Sequence, residues 1–78
     1  MKLPFRNYHP TPLTIFIEPE CDAYEVPVGG MAIVTLEDGQ PHSIDVHPEQ
    51  WISIWNEGYT KALVEISDNH SFLRARGD

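Results

Sequence analysis

Between Arg6 and Lys61 the chain has neither a lysine nor an arginine. Its five basic residues are Lys2, Arg6, Lys61, Arg74 and Arg76, against twelve acidic ones, for a formal net charge of -7 over 78 residues. The cation-free interval holds Glu18, Glu20, Asp22, Glu25, Glu37, Asp38, Asp45, Glu49 and Glu57. Nucleic-acid binding needs Lys and Arg to displace condensed counterions, and such an interval repels phosphate. No nucleic-acid partner is expected. An acidic surface keeps a small protein in solution, and it also suits a basic protein partner or a mimic of DNA charge.

Cysteine is nearly absent. Cys21 stands alone, which excludes an internal disulfide and fits a reducing, cytoplasmic setting. Its neighbours Glu18, Glu20, Asp22 and Glu25 would raise a thiol pKa, so Cys21 is expected to be buried or unreactive. No apolar run approaches the roughly 20 residues that cross a bilayer, and residues 1–12 lack the apolar stretch of a signal peptide. No membrane contact is expected.

A chain this short hides a small share of its surface, and such chains often rely on a disulfide, a metal or a second subunit. With the disulfide excluded, a homo-oligomer is the simplest support.

A helical period is also lacking. Pro4, Pro10 and Pro12 make residues 1–12 an extended arm, and residues 13–78 a single domain. Strands are expected at Leu13–Glu18, Tyr24–Val28, Met31–Glu37, His42–His47, Trp51–Trp55, Lys61–Ile66 and Phe72–Arg76, with turns at Gly29-Gly30, His47–Gln50 and Ser67–His70. Pro27 cannot donate to a ladder, which places its strand at an edge. Asp38-Gly39 suits a type I′ hairpin turn that would set Thr35 opposite His42, Ile33 opposite Ile44 and Met31 opposite Val46. Together these predict an all-β fold, a small antiparallel sandwich or roll built as a meander of about six or seven strands.

Two registers compete for Trp51–Trp55 against Lys61–Ile66. A three-residue loop, with Gly58 at positive φ, pairs Ile54 with Ala62 and Ile52 with Val64 and turns both tryptophans outward, Trp55 beside Lys61 and Trp51 beside Glu65. An even loop buries them. Matching aliphatic to aliphatic favours the first. Trp51, Trp55, Lys61 and Leu63 then form a candidate interface or ligand face, which a second subunit would cover.

No catalytic constellation is found, and no cofactor is implied. Ser43, Asp45 and His47 share a strand face, but a nucleophilic triad needs its histidine between serine and acid, and Ser43 and His47 lie about 13 Å apart along a strand. His9, His42, His47 and His70 have no zinc-like spacing, and His42 and His47 point to opposite faces. Arg76-Gly77-Asp78 matches a cell-adhesion tripeptide by chance.

The run Ile17-Glu18-Pro19, then Tyr24-Glu25-Val26-Pro27-Val28-Gly29 and an apolar strand, resembles small uncharacterised bacterial all-β proteins with a truncated cupin or jelly-roll shape. The resemblance spans roughly Leu13 to Tyr59 and implies the fold. The cupin metal signature requires a His-x-His pair, which is missing here, so the resemblance implies no metal chemistry. The expectation is a self-associating binding or structural module, with an acidic protein that captures a basic partner, or a cupin-like metal or small-ligand protein, as alternatives.

Overall fold

The computed structural model describes residues 1–68. The strand expected at Phe72–Arg76, the turn through Asn69 and His70, and the Arg76-Gly77-Asp78 tripeptide lie outside the described residues.

The described residues form seven strands: β1 (Lys2–Arg6), β2 (Leu13–Glu18), β3 (Asp22–Val26), β4 (Met31–Thr35), β5 (His42–His47), β6 (Trp51–Asn56) and β7 (Leu63–Ser67). They make a three-stranded sheet, β1-β4-β7, and a four-stranded sheet, β3-β2-β6-β5. The all-β sandwich is as expected. Among the described residues no helix is long and apolar enough to cross a membrane.

Alternation places the core. Ile15, Ile17 and Val26 of the larger sheet, with Ile52 and Ile54, bury their side chains between the sheets together with Ala32, Val34, Leu36 and Ala62. Leu3, Phe5 and Val64 pack against this cluster from the smaller sheet. Such alternation follows from the two-residue period of a strand with one covered face.

The connectivity departs from a meander. β2 and β6 pair in parallel, Ile15 with Ile52 and Ile17 with Ile54, while the other strand pairs are antiparallel. The hairpin expected across Asp38-Gly39 is not formed. Gly39 does turn the chain, at φ 76°, but β4 pairs with β1 and β7, and β5 pairs with β6. The cause lies in the faces of β4. Ala32 and Val34 point inward, with Leu36 beyond them, whereas Met31 and Ile33 remain half-exposed. The turn thus carries the chain from one sheet to the other.

The β5–β6 hairpin closes instead through Pro48, Glu49 and Gln50, with His47 opposite Trp51. Gln50 adopts φ 67°, the left-handed position that ends a three-residue loop. β3 is an edge strand, in keeping with Pro27. At Pro27–Gly30 the Gly30 N–H donates to the Pro27 carbonyl at 2.8 Å, and Gly29, at φ 75°, takes the position that a type II turn reserves for positive φ.

Residues 2–6, expected to belong to an extended arm outside the domain, are extended and form strand β1 along β4. Asn7 fastens this strand. Its buried side-chain amide donates to the carbonyls of Thr11 (2.9 Å), Val26 (3.2 Å) and Pro27 (3.4 Å), and its Oδ1 accepts from the His9 N–H. Asn56 does the same at another corner, donating to Glu20 Oε2 at 2.7 Å and to the Thr60 carbonyl at 3.0 Å.

Candidate functional site

β6 carries the chemistry of the larger sheet's outer face. Because Ile52 and Ile54 point into the core, Trp51, Ser53 and Trp55 must point out. Strand register then sets their neighbours. Glu25, Thr14, Trp51 and His47 form one row across the sheet; Ala23, Phe16, Ser53 and Asp45 form the next; Glu18, Trp55 and Ser43 form the third.

The rings in these rows pack on one another. Phe16 meets Trp51 edge to face, with centroids 5.2 Å apart and planes at 84°. His47 stacks on the other side of Trp51, with centroids 3.4 Å apart and planes at 6°. His47 Nε2 is 3.0 Å from Ser53 Oγ, and Ser53 is 6% exposed. Trp51 is therefore held half-exposed in a fixed orientation. Trp55 has no ring partner among the described residues and is 41% exposed.

Two shallow depressions flank this aromatic row. One, of about 370 Å³, is lined by Thr14, Phe16, Glu18, Glu49 and Trp51. The other, of about 590 Å³, includes Ser43, Asp45, Trp55 and Glu57. Each thus pairs one indole with two carboxylates.

The cation-free interval of the sequence explains this electrostatics. All four strands of the larger sheet fall between Arg6 and Lys61, so that sheet contains no Lys or Arg. Lys2 and Arg6 both stand on the smaller sheet, paired in register with Thr35 and Met31. The basic residues of the strands are thereby confined to the smaller sheet, which carries one acidic residue as well, Glu65 of β7.

The four residues expected to form one face are separated. Trp51 and Trp55 face outward, as the favoured register had them, but β7 is not their neighbour. Trp55 lies opposite Ser43 and Glu18, not Lys61, and Trp51 opposite His47 and Thr14, not Glu65. Leu63 is exposed on the smaller sheet opposite Thr35, and Lys61 Nζ sits 3.5 Å from Asp22 Oδ2. Both registers considered for β6 and β7 fail because β6 inserts between β2 and β5, which leaves β7 to the other sheet. Gly58 accordingly has no positive φ.

Ser43, Asp45 and His47 do share the outer face of β5. The serine that meets His47 is Ser53, from the neighbouring strand. A nucleophilic serine needs open access and an acid that orients its histidine. Ser53 is buried, and no carboxylate is hydrogen-bonded to His47 among the described residues. Cys21 is exposed, at φ 62°. Among the described residues no group of three or more His, Cys, Asp or Glu side chains is placed to hold a metal ion. His9 contacts Thr11 Oγ1 at 3.3 Å, and His42 lies opposite Asn56.

Among the described residues two carboxylates are shifted in charge equilibrium, both near the β4–β5 connection. Glu37 is held below its ordinary value of 4.5, first by the backbone N–H groups of Tyr59 and Thr60. Asp38 is lowered chiefly by its hydrogen bond with the chain's amino terminus at Met1. Neither lies on the aromatic face.

The chain matches no family model, no curated protein and no solved structure.

Proposed function

We propose that the protein is a non-enzymatic binding module whose outer four-stranded face takes a basic segment of a partner protein. The observation that carries this reading is the composition of the two depressions: Trp51 with Glu18 and Glu49, and Trp55 with Asp45 and Glu57, on a sheet without Lys or Arg. A Lys or Arg side chain entering the second gains the open indole of Trp55 and a carboxylate together, and one entering the first meets Glu18 and Glu49 beside the packed rings of Phe16 and Trp51. A cation–π contact contributes about 0.5–2 kcal/mol according to desolvation, and a charged hydrogen bond adds to it. Holding Trp51 between Phe16 and His47 removes the entropy cost of ordering it on binding.

The same charges argue against a second copy on this face. A two-fold interface here would bring the acidic set Glu18, Glu25, Asp45 and Glu49 of one copy against the same acidic set of the other, with no Lys or Arg between them. The exposed, free Cys21 thiol supports a reducing, cytoplasmic setting.

Both tryptophans of the chain lie on this face, so intrinsic fluorescence reports on it directly. Titration with a short peptide rich in Lys and Arg is expected to change the emission saturably, with affinity falling as salt rises. Glu18→Gln with Asp45→Asn is expected to weaken binding about tenfold or more. An unchanged emission, or binding indifferent to both salt and the carboxylates, would overturn the reading.

A further inference from the structure

We propose that two copies of the chain join edge to edge through β5, making one continuous eight-stranded sheet. This interface is the edge of β5, which shares Ser43 and Asp45 with the aromatic face, and it does not depend on what that face binds.

A three-stranded sheet cannot fully cover a four-stranded one, and the shortfall falls at β5. Ile44 and Val46 alternate with Ser43, Asp45 and His47, and they pair with the buried Ile54 and Ile52, so they point to the core side of the sheet. Yet Ile44 is 39% exposed and Val46 81% exposed. At the opposite edge of the same sheet the core-facing Val26 is fully buried. In the larger sheet the uncovered apolar strip is thus confined to β5, whose other side has no partner among the described residues; in the smaller sheet the edge strand β7 leaves one core-facing residue, Ile66, 40% exposed.

Two of the other edges carry devices that oppose pairing: β1 has Pro4 in its middle with Lys2 and Arg6 on either side, and β3 carries Asp22 and Glu25 and runs into Pro27, while β7 has one fixed charge, Glu65. β5 has Asp45 as its one fixed charge, and Asp45 points to the outer face. Pro41 and Pro48 bracket β5, which limits any pairing to these six residues.

Two-fold antiparallel pairing of β5 with itself requires opposed residues to share a face, so register can shift only in steps of two. Two registers use nearly the whole strand. One sets Asp45 directly against Asp45 of the second copy, which like charge opposes. The other sets Ile44 against Ile44, Ser43 against Asp45 and His42 against Val46. It places the aliphatic pair at the two-fold axis and offers each Asp45 a hydroxyl donor. This register closes the strip: Ile44 and Val46 of both copies meet on the core side, between the two smaller sheets. It also sets the two aromatic faces side by side on one surface, where a basic segment long enough to span them would bind bivalently.

The test is the mass of the full chain in solution. At high micromolar concentration wild type is expected at twice 8.9 kDa. Val46→Glu touches a side chain that packs little, so the fold should persist by far-UV circular dichroism, while the dissociation constant rises at least about tenfold. Ile44→Cys in a Cys21→Ser background is expected to cross-link under mild oxidation, and Ala23→Cys at the opposite edge is not. A wild-type monomer, a dimer indifferent to Val46→Glu, or equal cross-linking at Ala23 would overturn the proposal. So would a dimer that dissociates with Trp55→Ser but not with Val46→Glu. Because peptide binding is read separately by fluorescence, failure here leaves the function assigned to the aromatic face standing, and the reverse also holds.

Discussion

The imidazole of His47 lies face to face with the indole of Trp51, with centroids 3.4 Å apart and planes 6° from parallel, while its Nε2 is tied to Ser53. A ring pair of this kind contributes about 0.5–1.5 kcal/mol beyond area burial. Changing His47 to Ala is expected to lower stability in urea by about 1 kcal/mol and to shift tryptophan emission to longer wavelength as Trp51 gains water. Unchanged emission would mean that the stack is not populated in solution.

The strands and the faces of β6 were legible in the sequence; the inward face of β4 and the strand partners were not. The favoured register turned Ile52 and Ile54 inward and Trp51 and Trp55 outward, and their alternation is a local property of an extended chain. Pairing is not local. The Asp38-Gly39 signal specified a turn but carried no information on whether the strands beside it stay in one sheet. In β4 the large Met31 and Ile33 suggested the wrong inward face, since the residues that fit beneath the other sheet are the smaller Ala32 and Val34. Once β4 and β5 were assigned to each other, β6 lost its true neighbours, and with them the rows that bring His47 and Phe16 to Trp51. The charge separation was fully visible as a stretch without Lys or Arg, yet it became a property of one face only when all four of its strands fell inside that stretch.

Asn7 closes one corner of the sandwich by bonding to three carbonyls while 3% exposed. Replacing it by Ala leaves those acceptors unpaired, a cost of about 1–3 kcal/mol for a buried polar group. Asn7→Ala is therefore expected to lower the urea midpoint by about 2 kcal/mol in stability, and Asn7→Asp by at least as much, because a carboxylate oxygen would face those carbonyls. Midpoints equal to wild type would mean that β1 contributes nothing to the fold.

Gly30 is a matter of space. A Cβ there would lie 2.7 Å from the Ser67 carbonyl oxygen and 2.8 Å from Pro27 Cγ, neither of which can swing away freely. Gly39 is a matter of backbone, with φ +76° and open space around it. Gly30→Ala is expected to cost about 1–3 kcal/mol by overpacking, and Gly39→Ala about 1 kcal/mol by left-handed strain alone. Thermal unfolding of the two variants checks the order.

Glu37 Oε1 accepts from the Tyr59 N–H (2.8 Å), the Thr60 N–H (3.0 Å) and the Thr60 hydroxyl (3.1 Å). These bonds favour the charged form, so its folded pKa is depressed below 4.5. The stability it contributes is fully present above 4.5 and is lost as pH falls through the lower folded value. The protection of the Tyr59 and Thr60 amides, measured against the exchange rate of an unstructured amide at the same pH, should therefore fall on acidification through that window. In Glu37→Gln the same amides should be less protected already at neutral pH and lose little more on acidification.

The most direct test of the binding face is a two-dimensional NMR titration of the full chain with a peptide rich in Lys and Arg. The chain has two indole N–H groups, from Trp51 and Trp55, and both stand on the proposed surface. Both signals are expected to shift saturably along with amides of β2, β5 and β6, and the shifts should collapse when salt is raised. Stationary indole signals, or shifts confined to β1 and β4, would contradict the assignment of this face as the site.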